Sequence, residues 1–141
     1  MGNRGRWGSS AAWFDYDNDG RLDLAVANYV DWSPENNVWC GEHAPGRRGY
    51  CKPDAYHGQP PALFHNNGDG TFTDVSQASR VGRTPGNGLG VVTFDYDNDG
   101  WQDLFIANDG MVNFLFHNNH DVPRREWGLM PPTLEATVGR T

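Results

Sequence analysis

Asp15-Tyr16-Asp17-Asn18-Asp19-Gly20-Arg21-Leu22-Asp23-Leu24-Ala25-Val26-Ala27-Asn28 recurs as Asp95-Tyr96-Asp97-Asn98-Asp99-Gly100-Trp101-Gln102-Asp103-Leu104-Phe105-Ile106-Ala107-Asn108, with ten of fourteen positions identical. In each copy Asp stands at positions one, three, five and nine of a loop. A run rich in Leu, Val, Ile, Phe and Ala follows, which suits a buried strand better than a surface helix. A second match is complete: Leu63-Phe64-His65-Asn66-Asn67 returns as Leu115-Phe116-His117-Asn118-Asn119.

The first pair is separated by 80 positions and the second by 52, so the first copy carries 28 extra residues between Asn28 and Leu63. The underlying unit is therefore about 52 residues. A period near 50 with several short strands per unit is the pattern of a β-propeller blade. The fold expected is all-β: a partial β-propeller of about two four-stranded blades with calcium-binding hairpin loops.

Alternation places strands at Ala11 to Phe14, Leu22 to Ala27, Ala62 to His65 and Thr71 to Val75, then at Gly90 to Phe94, Asp103 to Ala107 and Asn113 to Phe116. Asn67-Gly68-Asp69-Gly70 reads as a tight hairpin turn, because Asn-Gly and Asp-Gly supply the positive φ such turns demand. Residues 1–7 form an N-terminal extension, 8–80 a first blade with an insertion at 29–61, and 81–119 an incomplete second blade. The stretch 120–141 is a divergent tail, since His120-Asp121-Val122-Pro123 stands where a Gly-Asp-Gly-Thr-Phe turn is due.

Composition agrees with short strands and tight turns. The 141 residues include 18 Gly and 9 Pro with 13% aromatic residues, and no long Ala-, Leu-, Glu- and Lys-rich stretch. The formal net charge is −7, and eight of the 18 acidic residues fall in the two loops, so the acidity marks sites. Arg and Lys form no stripe, which argues against a nucleic-acid partner. No apolar run is long enough for a membrane span. Met1 to Arg6 has neither the apolar segment of a signal peptide nor the myristoylation pattern.

Calcium takes six to eight oxygens, and a loop with Asp at positions one, three, five and nine offers carboxylates from alternate residues. In the first loop the ligands expected are Asp15, Asp17, Asp19 and Asp23 with the backbone carbonyl of Arg21. In the second they are Asp95, Asp97, Asp99 and Asp103 with the carbonyl of Trp101. Four carboxylates this close repel one another at neutral pH, and a divalent cation relieves the repulsion. Gly at position six permits the bend, and Asn18 and Asn98 tolerate left-handed backbone. An EF-hand would need Glu at position twelve, where Val26 and Ile106 stand. Magnesium is disfavoured because it demands a smaller octahedral shell and keeps its waters.

Phe14-Asp15-Tyr16-Asp17-Asn18-Asp19-Gly20 and its copy from Phe94 resemble the FG-GAP/VCBS repeats of integrin-α-type β-propellers. Tyr29-Val30-Asp31-Trp32, the Cys40 to Cys51 insert, Pro61-Ala62-Leu63-Phe64-His65-Asn66-Asn67-Gly68-Asp69-Gly70-Thr71-Phe72 and Ala107-Asn108-Asp109-Gly110 look more closely like the ASPIC/UnbV, or cartilage-acidic-protein-like, family. The resemblance covers about residues 8–119. It implies a secreted, periplasmic or cell-surface protein whose Asp loops bind calcium between the first two strands of each blade. The partners it implies are further blades of the same propeller and an extracellular protein or carbohydrate ligand.

Within the insertion, Cys40 and Cys51 are the only cysteines. An even count in an extracellular setting favours a disulfide, with a zinc site from Cys40, His43, Cys51 and His57, or two free thiols, as the other readings. No nucleophile elbow, His-Glu-x-x-His helix or phosphate loop is present, so the chain reads as a noncatalytic module. Its rival is a fragment of a propeller enzyme acting on polysaccharide, with chemistry housed outside these residues. His65 and His117 recur with the repeat and read as packing or structural hydrogen-bonding residues.

Overall fold

The structure is a computed structural model. It describes residue 3, residues 5–120 and the backbone of 127–129. The first antiparallel sheet has the order β1 (Gly8–Phe14), β2 (Asp23–Asn28), β3 (Ala62–Asn66), β4 (Phe72–Asp74). The second repeats it with β5 (Gly88–Phe94), β6 (Asp103–Asn108), β7 (Phe114–Asn118) and β8 (Trp127–Leu129). The only described helical elements are two 3-10 turns, Pro53–Ala55 and Val81–Arg83. The all-β expectation holds, while two sheets make no closed ring.

Register repeats with the sequence. Phe14 pairs with Asp23 as Phe94 pairs with Asp103, and Ala25 pairs with Leu63 as Phe105 pairs with Leu115. Both outer strands begin earlier than alternation predicts, at Gly8 and Gly88, because a register shift between Gly8 and Ser10, and between Gly88 and Gly90, breaks the period-2 pattern there. The strand Trp127–Leu129 pairs with β7 and was not expected, because it lies in the segment read as a divergent tail. The rest of that tail, 121–126 and 130–141, lies outside the described residues, as do positions 1, 2 and 4.

One core joins the two sheets: Phe14, Tyr16, Ala25, Ala27 and Leu63 from the first repeat pack with Leu104, Ile106, Phe114 and Phe116 from the second. Facing positions share one side of a strand pair. The Phe14–Ala25–Leu63 face of the first sheet is thus covered by the opposite face of the second. Small residues allow the close approach, since a Cβ on Gly88 would stand 3.2 Å from Ala27 Cβ and 3.2 Å from Ile106 Cγ2. Ser9 Oγ donates to the Gly88 carbonyl at 2.6 Å, and Asn118 Nδ2 to the Tyr16 carbonyl at 2.7 Å, sewing the sheets together.

Among the described residues, the equivalent face of the second sheet has no such cover. Phe14 and Tyr16 are each 2% exposed, whereas their repeat equivalents Phe94 and Tyr96 are 41% and 36% exposed. Val92, on the same face as Phe94, is exposed as well. Among the described residues, Phe14 and Tyr16 lie under a neighbouring sheet and Phe94 and Tyr96 do not.

The insertion is a long connection between β2 and β3, anchored by the bridge Val30↔Gly58 at its base. Cys40 and Cys51 form a disulfide with Cα atoms 5.2 Å apart. That bond consumes both thiols and removes the zinc alternative of Cys40, His43, Cys51 and His57, together with the free-thiol one.

Candidate metal centre

Each Asp-rich loop closes the hairpin between the first two strands of its sheet. The loop curls because Gly20 and Gly100 sit at φ 83° and 87°, a conformation glycine adopts without a Cβ penalty. Asn18 and Asn98, at φ 53° and 63°, share the left-handed region.

Backbone donors hold the carboxylates in the same pattern twice. Asp15 accepts from the N–H groups of Asp19 and Gly20 at 3.0 and 2.8 Å, and Asp95 from those of Asp99 and Gly100 at 3.1 and 2.9 Å. Asp19 Oδ1 accepts from the Arg21 N–H at 2.9 Å and Asp99 Oδ1 from the Trp101 N–H at 2.8 Å, so the seventh residue turns where the motif requires. The ninth-position acids start β2 and β6 and are buried, Asp23 at 0% and Asp103 at 1% exposure. Asp23 accepts from the N–H groups of Tyr16 and Asn66, and Asp103 from those of Tyr96 and Asn118.

The loops bring ligand atoms of Asp15, Asp17 and Asp19 within 4.8 Å of one another, and do the same for Asp95, Asp97 and Asp99. Asp17 and Asp23 meet in a second group that includes His65, and Asp97 and Asp103 in one that includes His117. All eight expected carboxylates therefore converge in two clusters linked through Asp17 and Asp97. Burial pushes the Asp23 carboxyl above the usual range, against the Asn66 and Tyr16 N–H bonds that favour its charged form, and the neighbouring Asp17 adds to the rise. This oxygen-rich donor set, with an acid at its edge already strained toward protonation, fits a hard divalent cation.

Three histidines complete the surroundings, and the sequence reading did not assign them to the site. His65 Nδ1 lies 3.2 Å from Asp23 Oδ1 and 3.4 Å from Asp17 Oδ2; His117 Nδ1 lies 3.1 Å from Asp103 Oδ1 and 3.9 Å from Asp97 Oδ2. His120 Nε2 contacts Asp99 Oδ2 directly. The signal was the recurring Leu-Phe-His-Asn-Asn: the residue before Asn66 or Asn118 on the third strand lies beside the ninth-position Asp of the second strand. Asp69, by contrast, is occupied within its own turn, accepting from both the N–H and the hydroxyl of Thr71.

Away from the loops, Trp7, Trp32, Asn37, Arg48, Tyr50 and Tyr56 line a cleft of about 550 Å³. Trp7 packs edge-on against Tyr29 and tilted against Trp32, at centroid distances of 5.6 and 5.5 Å.

Residues 54–106 match the FG-GAP-like repeat family. That interval runs from the end of the insertion through the second Asp loop into β6. The chain is also 41% identical over 49 residues to human cartilage acidic protein 1, covering 35% of this chain and 7% of that protein. To cartilage acidic protein 1 of Xenopus tropicalis it is 37% identical over 57 residues, covering 40% of this chain and 9% of the relative. The chain thus spans under a tenth of the length of these relatives. An FG-GAP-like repeat and a disulfide fit an extracellular location. No helix among the described residues is long and apolar enough to cross a membrane.

Proposed function

We propose that this chain is a calcium-binding, noncatalytic module of an extracellular β-propeller, in which each cation braces one blade hairpin and the loops present a ligand-binding face. One observation carries the reading: two copies of one Asp loop, 80 positions apart, gather their carboxylates in the same geometry at the same end of successive sheets. Asp15, Asp17, Asp19 and Asp23 would hold one ion and Asp95, Asp97, Asp99 and Asp103 the other, with the carbonyls of Arg21 and Trp101. When bound, calcium supplies charge neutralisation. The chain's own residues set the loop curvature and start β2 and β6 from the buried ninth-position acids.

The propeller is supported by the face at Val92 and Phe94, which no described element covers. The first sheet packs one face on the opposite face of the second, a head-to-tail relation that repeats until it closes. Further blades are the occupants this face suits. The aromatic cleft beside the insertion is the natural ligand face, either for an extracellular protein or for a carbohydrate.

Calcium titration into chelator-treated protein, followed by thermal unfolding, tests the reading. A cation that binds only the folded chain raises the midpoint with its free concentration. No shift up to about millimolar calcium, the weak end for extracellular sites, would sink it.

A further inference from the structure

We propose that the second repeat alone carries a transition-metal site of the zinc class, formed by Asp99, His117 and His120. The three come from separate places: Asp99 from the β5–β6 loop, His117 from β7, and His120 from just beyond β7, where φ is 57°. Their ligand atoms lie within 4.8 Å of one another. Two imidazoles and one carboxylate are a nitrogen-rich set that zinc accepts with a fourth position open, whereas calcium takes oxygen.

The rings are held in place. His120 stacks on Trp101 with centroids 5.0 Å apart and planes 20° apart, and His117 Nδ1 rests 3.1 Å from the Asp103 carboxylate. A carboxylate behind a ligating histidine is the usual outer support of metal sites. His120 Nε2 meets Asp99 Oδ2 directly, a contact that a bound cation would take over.

The first repeat has no such set. The positions equivalent to Trp101 and His120 are Arg21 and Gly68. The Arg21 guanidinium itself pairs with Asp19, a fixed positive charge with no lone pair to offer. Arg21 also fills the space beside Gly68, where a Cβ would come within 3.1 Å of its Cδ. The two loops have thus diverged at one corner, from a built-in cation to an imidazole.

This site shares Asp99 with the calcium reading and does not depend on it. The test is zinc titration by calorimetry on the chelator-treated 141-residue chain and on His120→Gln, with tryptophan fluorescence read in parallel. His120 is at the surface, and an unchanged unfolding midpoint of the metal-free variant checks that it folds. Expected are zinc binding at one site, a fluorescence change from the stacked Trp101, and an affinity weakened about tenfold or more in the variant. Equal affinity in both proteins would overturn the proposal by placing the zinc away from His120, and so would absence of zinc binding. Calcium-linked stabilisation, measured on the same samples, reports on the other reading alone and survives in the variant if that reading holds.

Discussion

The phenolic hydroxyl of Tyr29 donates a 2.7 Å hydrogen bond to Asp109 Oδ2. The two residues are repeat equivalents, each following its Ala-Asn, 80 positions apart. Sequence divergence at this one position has turned a repeated strand end into a clasp between two sheets.

Tyr29→Phe removes that clasp and leaves Asp109 partly buried without its donor. A loss of about 1–3 kcal/mol is expected in denaturant unfolding. Burial, with Asp109 adding to it, pushes the Tyr29 hydroxyl up to about 12 from an ordinary 10.0. A raised folded-state value means that the contribution is fully present below pH 10.0 and is lost as pH rises through about 12. The wild type should therefore lose more stability than Tyr29→Phe across that window; parallel pH profiles would contradict the assignment.

Asp97→Asn should act with opposite signs in two conditions. Without metal it relieves carboxylate repulsion and is neutral or stabilising by up to about 1 kcal/mol, the site being partly screened by solvent. With calcium it disables one of two sites, so about half of the wild-type gain remains; a fully bound single site is worth about 2.7 kcal/mol at a hundredfold excess over Kd. Destabilisation in chelator combined with an unchanged calcium response would refute both halves.

Gly86→Ala should cost about 1–3 kcal/mol as an overpacking change. Gly86 is buried, and its added Cβ would stand 2.6 Å from Phe114 Cε2 and 2.7 Å from Asn108 Oδ1. Gly90→Ala is the control, since its nearest atom is Ala107 Cβ at 3.7 Å, and its thermal midpoint should stay near that of the wild type. Similar shifts for both variants would show that the crowding at Gly86 is relieved at no cost.

Loss of the disulfide should act on the insertion rather than on the sheets. Its 11-residue separation corresponds to about 3 kcal/mol in the chain-entropy model. Arg48 holds the insert through Asn37 and the Val38 carbonyl, close to the bridge. In a Cys40→Ser/Cys51→Ser protein, tryptic cleavage after Arg47 and Arg48 should accelerate while strand amides keep their exchange protection. Unchanged cleavage would mean that the insert is ordered without the bridge.

Much of the fold was legible because its determinants are local. The Asp-x-Asp-x-Asp-Gly turn, the β-rich run behind it and the Asn67 to Gly70 hairpin each declare themselves within a few residues. Strand ends were less legible, since the early starts at Gly8 and Gly88 depend on register shifts and on the Ser9 bond to the opposite sheet. The reading of His65 and His117 as structural hydrogen-bonding residues agrees with their contacts to Asp23 and Asp103, but which acids they face follows from strand pairing, not from sequence proximity.

By itself, the sequence determined that the chain is repeated, β-rich and armed with two acidic loops, because side-chain period, glycine placement and carboxylate spacing act over one turn or strand. Only the tertiary structure decided that Phe14 is buried while Phe94 is exposed, that Cys40 joins Cys51, and that His120 reaches Asp99. Those outcomes depend on which surfaces lie against each other in space, and identical local motifs carry no record of that.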